Sequence, residues 1–320
     1  MEKHRIVYTS DIHGNLDQYN KLLEFLVEEK EKENLEVLVL GGDLLPKCSS
    51  CGIENLIEKQ KRFINEHFFS VLKKIKNLGI ATYLIPGNDD LKISIALLRE
   101  ENENLFYDIS LKRKRLFEDL EIVGYPYVPI TPFDVKDWEK YDLSNPPQEL
   151  VREYEKRKKE NYNIRGIKTY PFLDEKNDFL KVLRVLFYWE DYSFNEEHEK
   201  NDSIQLDLEK KIFTKNPDKT LYVIHTPPNN TDLDVTCLKT SSGDLEKEHK
   251  GSFAVRLFIE KYQPYITLHG HIHETVRCTG KFMQIIGKTT CITSGNDNNS
   301  EELSVILLDL DNNKFERRLL

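Results

Sequence analysis

The stretch Val7-Tyr-Thr-Ser-Asp11-Ile-His13-Gly-Asn-Leu16 decides how this chain is read. A β-type run over residues 4–9 ends in a polar cluster, and a helix-patterned segment follows at once. Asp11 and His13 stand two residues apart at the end of the predicted strand. That spacing lets a carboxylate and an imidazole converge on one ion while Ile12 turns into the core. Gly14 permits the tight turn that this geometry needs. Oxygen and nitrogen ligands of this kind suit a divalent metal such as manganese, iron or zinc. The plainer alternative is a helix N-cap beside a hydrogen-bonded histidine, since a D-x-H triplet is common. The rest of the chain decides between them.

The same pattern recurs on moving outward. Residues 15–30 place Leu16, Tyr19, Leu22, Leu23 and Leu26 on one helical face. A second strand, Glu36–Leu40, ends in Gly41-Gly42-Asp43, and a long amphipathic helix over 54–78 stops at Gly79. A third strand, Ile80–Ile85, is broken by Pro86-Gly87 and followed by Asn88-Asp89-Asp90, with a helix over 91–99. This alternation predicts a largely parallel α/β sheet, whose functional residues gather beyond the carboxyl ends of the strands. Asp11, Asp43 and Asn88 each sit at such an end. Further on, Leu221–Ile224 ends in His225, residues 251–262 read as a helix, and Pro264–Leu268 ends in His269-Gly270-His271-Ile272-His273.

Residues 121–133 hold another strand and a proline-rich loop. From about 134 to 217 the chain turns rich in Lys, Glu, Asp, Asn and Tyr, with helices expected near 148–160, 176–188 and 203–214. This stretch reads as an insertion, a cap on a single domain spanning 1–320. Its run Lys156-Arg157-Lys158-Lys159 reads as a solvated face, and its aromatics Tyr162, Tyr170, Phe172 and Trp189 as packing residues. The tail holds short β runs at 283–286, 290–293, 303–310 and 313–319, expected as antiparallel hairpins or edge strands.

The 320 residues carry a net charge of −9, with 39% hydrophobic and 32% charged residues. That supports a sizeable core. The acidic balance disfavours a long nucleic acid as partner, and with it a nuclease, but leaves room for a small phosphorylated substrate. No apolar run of about 18 residues predicts a membrane span. The five cysteines, Cys48, Cys51, Cys237, Cys278 and Cys291, read as a reduced, cytoplasmic set. Cys48-Ser-Ser-Cys51 is spaced like half a zinc site, but no second C-x2-C completes one.

Of nine histidines, five fall in strand-end clusters: His13, His225, His269, His271 and His273. With Asp11, Asp43 and Asn88 they offer more ligands than one ion needs, and a two-ion site is a known solution for phosphoester cleavage. The ordered set D-x-H (Asp11, His13), G-D (Gly42, Asp43), G-N (Gly87, Asn88), the lone His225 and G-H-x-H (Gly270, His271, His273) resembles the calcineurin-like metallophosphoesterase superfamily. His225-Thr-Pro-Pro, Tyr262-Gln-Pro-Tyr, His269-Gly-His-Ile-His-Glu274, Gly124-Tyr-Pro-Tyr-Val-Pro and Lys136-Asp-Trp-Glu-Lys-Tyr141 look most like its Icc-related predicted phosphoesterases.

The resemblance implies a four-layer αββα sandwich of two mixed sheets with helices outside. It implies Asp11, His13 and His273 on a first metal, Asn88, His225 and His271 on a second, and Asp43 bridging them. A hydroxide shared by the two divalent ions, whether manganese, iron or zinc, then attacks phosphorus in a diester or monoester of a small molecule, a nucleotide among the candidates. Asp43, Asn88 and His225 thereby become catalytic candidates. His269 lies outside the pattern, as a proton donor or a structural histidine. One departure stands out: many members read G-N-H-D or G-N-H-E, where this chain has Gly87-Asn88-Asp89-Asp90. Asp89 takes the place of a histidine usually assigned to the phosphate or the leaving group.

Overall fold

The computed structural model describes residues 4–33, 35–48, 50–101, 104–160, 165–169, 188–191, 200–239, 245–297 and 300–320. The chain opens with β1 (Arg5–Thr9), α1 (Leu16–Glu33), β2 (Val37–Gly41), α2 (Ile53–Phe63), α3 (Phe69–Asn77), β3 (Ala81–Ile85) and α4 (Lys92–Glu100). Short strands follow: β4 (Tyr107–Asp108), β5 (Arg113–Arg115), β6 (Glu121–Tyr125), β7 (Val128–Pro129) and β8 (Glu139–Lys140). Next come α5 (Val151–Glu160), the paired strands β9 (Arg165–Lys168) and β10 (Tyr188–Asp191), and α6 (Ile204–Lys210). The last third holds β11 (Thr220–Ile224), β12 (Val235–Lys239), β13 (Leu245–His249), α7 (Phe253–Tyr262), β14 (Ile266–His269) and α8 (Thr275–Thr279). It closes with β15 (Met283–Ile286), β16 (Thr289–Thr293), β17 (Ser304–Asp309) and β18 (Lys314–Leu319).

Two six-stranded mixed sheets result, ordered β18-β17-β1-β2-β3-β4 and β15-β16-β14-β11-β6-β5. Strands β1 to β4 run parallel in the first, as do β6, β11, β14 and β16 in the second. The alternation of side chains along each strand builds the layers. Ile6 and Tyr8 of β1, with Val39 and Ile85, face Ile122, Val223, Ile266 and Leu268 of the other sheet. Val7, Leu38 and Leu40 point the other way, onto Tyr19, Leu22 and Leu26 of α1 and Leu72 of α3. Tyr222 and Ile224 likewise meet Phe253, Phe258 and Ile259 of α7 and Leu208 of α6. The order is therefore helix, sheet, sheet, helix. Each fully buried aliphatic side chain contributes roughly 1.5–3 kcal/mol to that assembly. Among the described residues no helix is long and apolar enough to cross a membrane.

Several expectations are corrected. The helix expected over 54–78 is continuous but widens into a π-turn at Ile64–Phe68. Residues five apart then share a face, so Phe63 and Phe68 both reach the Tyr19 ring, at 5.9 and 5.5 Å. In the tail, β15 pairs antiparallel with β16 and β17 with β18, as expected, but β16 is no edge. It pairs parallel with β14 on one side and antiparallel with β15 on the other. The β12–β13 hairpin has no counterpart in the sequence reading, because its Leu245–His249 strand is charged and lacks an apolar face. The helix expected at 176–188 lies outside the described residues, apart from Tyr188 in β10. Tyr162, Tyr170 and Phe172 lie outside them as well. The cysteines are not all thiols: Cys48 is joined to Cys51, and Cys237 on β12 to Cys278 on α8, leaving Cys291 buried and free. The second partners are 41 residues apart, so only the packing of α8 against β12 reveals them.

The loop between β7 and β8 is folded about a buried ion pair. Lys136 Nζ lies 3.0 Å from Glu139, both side chains fully buried, and also donates to the carbonyls of Thr131 and Phe133. Glu139 accepts from the backbone N–H and the hydroxyl of Thr131. Replacing Lys136 with Met would strand a carboxylate in the interior. The expected loss is about 3–5 kcal/mol in urea unfolding. Lys74→Met, on an exposed helix face, is expected to change stability by less than about 0.5 kcal/mol.

Candidate metal centre

The parallel strands of both sheets end at one edge of the sandwich, and the polar residues that follow them meet there. Asn15, not Asp11, caps α1: its side-chain oxygen accepts from the N–H groups of Asp17 and Gln18. Asp11 is thereby left for other duty, and Ile12 sits in the core at 1% exposure. Backbone bonds from Asp11 to Gly42 (2.9 Å), His13 to Asp43 (2.8 Å) and Gly14 to Leu44 (3.0 Å) lock the first ligand loop to the second. Gly14 adopts φ +70°, and a β-carbon there would collide with Pro46. Asp11, His13, Asp43 and His271 themselves hold left-handed backbone, at φ 59°, 49°, 53° and 69°. For residues with a β-carbon this costs roughly 1–3 kcal/mol each, and such strain gathers at functional sites.

Ligand atoms of Asp11, His13, Asp43 and His273 all lie within 4.8 Å of one another. His13 Nε2 is 3.1 Å from His273 Nε2, and His273 Nε2 is 3.4 Å from Asp11 Oδ1. Asp43 Oδ2 lies 3.8 Å from His13 Nε2 and 3.3 Å from His225 Nε2. His271 Nδ1 stands 2.7 Å from Asn88 Oδ1, and its backbone N–H donates to Asp11. The structure thus brings together all seven residues Asp11, His13, Asp43, Asn88, His225, His271 and His273. His13 Nδ1 and His225 Nε2 are buried without a hydrogen-bond partner. His225 Nδ1 faces the Gly41 carbonyl at 2.8 Å, which sets the ring so that Nε2 presents a lone pair when neutral. Together with the clustered Asp11, His13, Asp43 and His273 ligand atoms, the orphaned His225 Nε2 makes a donor set that fits a divalent metal.

The electrostatics agree. Burial pushes the Asp11 carboxyl up, but His273 outweighs it and holds the group at about 2. Burial likewise acts on Asp43, yet His225 and His13 draw it well below the usual carboxylate range. His13 and His271 are pressed down to about 3, chiefly by burial, and stay neutral. At His225 burial disfavours the cation, but Asp43 prevails and raises it to about 9. The pocket therefore keeps Asp11 and Asp43 ionised and His13 and His271 neutral.

The remaining candidates divide. Both nitrogens of His269 are engaged, Nδ1 with the carbonyls of Ile224 and Thr226 at 3.0 Å and Nε2 with Thr267 Oγ1 at 2.8 Å. That makes it a brace between strands, with no ring atom left for proton transfer. Asp89 lies at the pocket, its Oδ2 3.6 Å from His13 Nδ1 and its backbone N–H donating to Asp43. Burial and Asp43 raise its carboxyl to about 7.

Two contributors were missed by sequence reasoning. Asp90 is wholly buried and accepts from the N–H groups of Leu44, Leu45 and Gly87, tying the Asp43 and Asn88 loops together. Its place directly after Asn88-Asp89 was the available signal. Lys47 lines the same cavity, and its charge partly offsets the upward push on the Asp89 carboxyl; nothing in its sequence context announces it. Within the basic run of α5, Arg157 also departs from the solvated-face reading. It lines the cavity and donates to the carbonyls of Gly251 and His249.

Two measurements check this site. His225 must shed its proton to ligate, so protons compete with metal, and Mn²⁺ affinity is expected to rise about tenfold per pH unit between pH 6 and 8. Calorimetric titration across that range reads the slope, and a flat profile would contradict it. Asp90→Ala, though no ligand itself, is expected to weaken Mn²⁺ binding about tenfold or more by releasing both loops.

The calcineurin-like phosphoesterase family matches this chain over residues 4–275. No curated protein matches it. Among solved structures, TT1561 of Thermus thermophilus aligns at 14% identity over 99% of each chain, with a TM-score of 0.50. Another crystal structure aligns at 16% identity over 99% of each chain, with a TM-score of 0.51. At such identities the likeness speaks for the fold alone. The family match spans every strand-end residue from Asp11 to His273, and the chain belongs to the calcineurin-like phosphoesterase family of metal-dependent enzymes.

Proposed function

We propose that this protein is a dinuclear-metal phosphoesterase that hydrolyses a phosphodiester, or less readily a phosphomonoester, of a small molecule. The observation that carries the reading is the Asp43 carboxylate. One of its oxygens lies 3.8 Å from His13 Nε2 and 3.3 Å from His225 Nε2, and that His225 nitrogen is buried without a hydrogen-bond partner. Asp11, His13 and His273 would hold one ion, and Asn88, His225 and His271 the other, with Asp43 between. When bound, two divalent ions supply Lewis acidity toward the phosphate and make water a usable nucleophile near neutral pH.

The chain's own residues set the rest. Neutral His13 and His271 would ligate without adding positive charge, and the Asn88 amide would fill a position without adding negative charge. The Gly41 carbonyl and Asp90 keep His225 and the two loops from drifting. Lys47, on the rim beside Asp89, offers the cation that the family's histidine would otherwise bring to the phosphate oxygens. Asp89 as a carboxylate repels those oxygens, which favours esters with good leaving groups and a single negative charge.

Purified protein with added Mn²⁺ is expected to cleave bis-p-nitrophenyl phosphate, and Asp43→Asn or His225→Ala to lower turnover at least about 10³-fold. The Asp89 substitution also favours a second reading, a non-catalytic phosphate-ligand-binding protein on the same scaffold. Metal uptake with no cleavage of any ester would select it. Asp89→His is expected to raise monoester turnover; loss of diester turnover with no monoester gain would refute the proposed preference.

A further inference from the structure

The metal cluster opens onto a cavity of 820 Å³, the size of a site for a whole organic ligand rather than for a phosphate alone. Its lining divides by chemistry. Asp43, Asn88, Asp89, His271, His273 and Lys47 form the polar part. Ile53, Leu56, Ile130, Phe133, Val135 and Ile167 form an apolar part. The apolar wall has a firm backing: Ile53 and Val135 pack on the buried cluster of Leu56, Ile57, Leu91 and Ile93.

Phe133 is 57% exposed, although its loop is held by the buried Lys136–Glu139 pair and by Thr131. A well-anchored loop thus leaves a phenyl ring uncovered at a cavity shared with the metal ligands. Asp134, Lys250 and Glu274 also line the cavity, and several of its other polar side chains are already engaged. The Thr131 hydroxyl donates to Glu139, Thr236 to the Glu248 carbonyl, and Arg157 to two carbonyls. The apolar side chains of this wall recognise shape and apolar surface.

We infer that this wall seats the organic arm of the phosphoric ester, and that the arm presents a flat apolar or aromatic face to it. The inference rests on the phosphoesterase reading for the phosphate end, while the wall itself is independent of turnover.

The test compares phenylphosphonate with methylphosphonate as ligands of the Mn²⁺-loaded protein, by calorimetry. The wild type is expected to bind the phenyl compound about tenfold or more tightly, the yield of burying one ring. Phe133→Ser and Val135→Ser are each expected to bring that ratio toward one, with Phe133→Tyr restoring it. Position 133 is exposed, so an unchanged melting temperature verifies folding. A ratio near one in the wild type, binding of neither compound, or a ratio untouched by both serine variants would overturn the inference. Ester cleavage combined with a ratio near one would sink the wall and spare the phosphoesterase reading. A tenfold ratio without any ester cleavage would do the reverse.

Discussion

Two carboxylates and four imidazoles crowd one edge of the sandwich, and the rest of the molecule serves to hold them there. Desolvation opposes every charge in the group, and the Asp11 and Asp43 carboxylates repel each other. Without a cation the cluster is only partly balanced, by His225 taking a proton from the pull of Asp43. Such an arrangement persists only where surrounding structure over-determines it. A resident metal removes the cost that the scaffold otherwise carries.

The scaffold does so through the backbone. Polar strand ends of both sheets meet because parallel strands end on the same side, and Tyr8 of one sheet donates to the His269 carbonyl of the other at 2.6 Å. Asp11, His13, Asp43 and His271 accept left-handed backbone, which turns their side chains inward right after extended strands. Gly87 lets the Asn88 loop approach Asp43 and His225 so closely that a β-carbon would collide with both. Asp90 then fastens that loop to the one carrying Asp43. Residues that touch no ion therefore fix the geometry of those that would.

Away from the ligands, the same cavity is shaped by pieces that lie far apart in the chain. The segment after Asp43, with its joined Cys48 and Cys51, forms one side. The loop ordered by Lys136 and Glu139 forms another, and Arg157 and Ile167 a third. The described residues of the 134–217 stretch also pack on the outer face of the second sheet, through Tyr154 and Leu208.

By itself the sequence determined the alternation of strands and helices and the polar residues at strand ends. These are local properties, written in side-chain periodicity and in short spacings such as Asp11 to His13 and His271 to His273. The resemblance added the two-sheet architecture. Tertiary structure alone decided that His269 is a brace while its neighbour His271 faces the site, because His269 still belongs to the strand and His271 lies past its end, on left-handed backbone. It alone joined Cys237 to Cys278 and placed Lys47, Arg157 and Phe133 around one cavity. Those relations join residues distant along the chain, and only the closing of two sheets on each other creates the distances that define them.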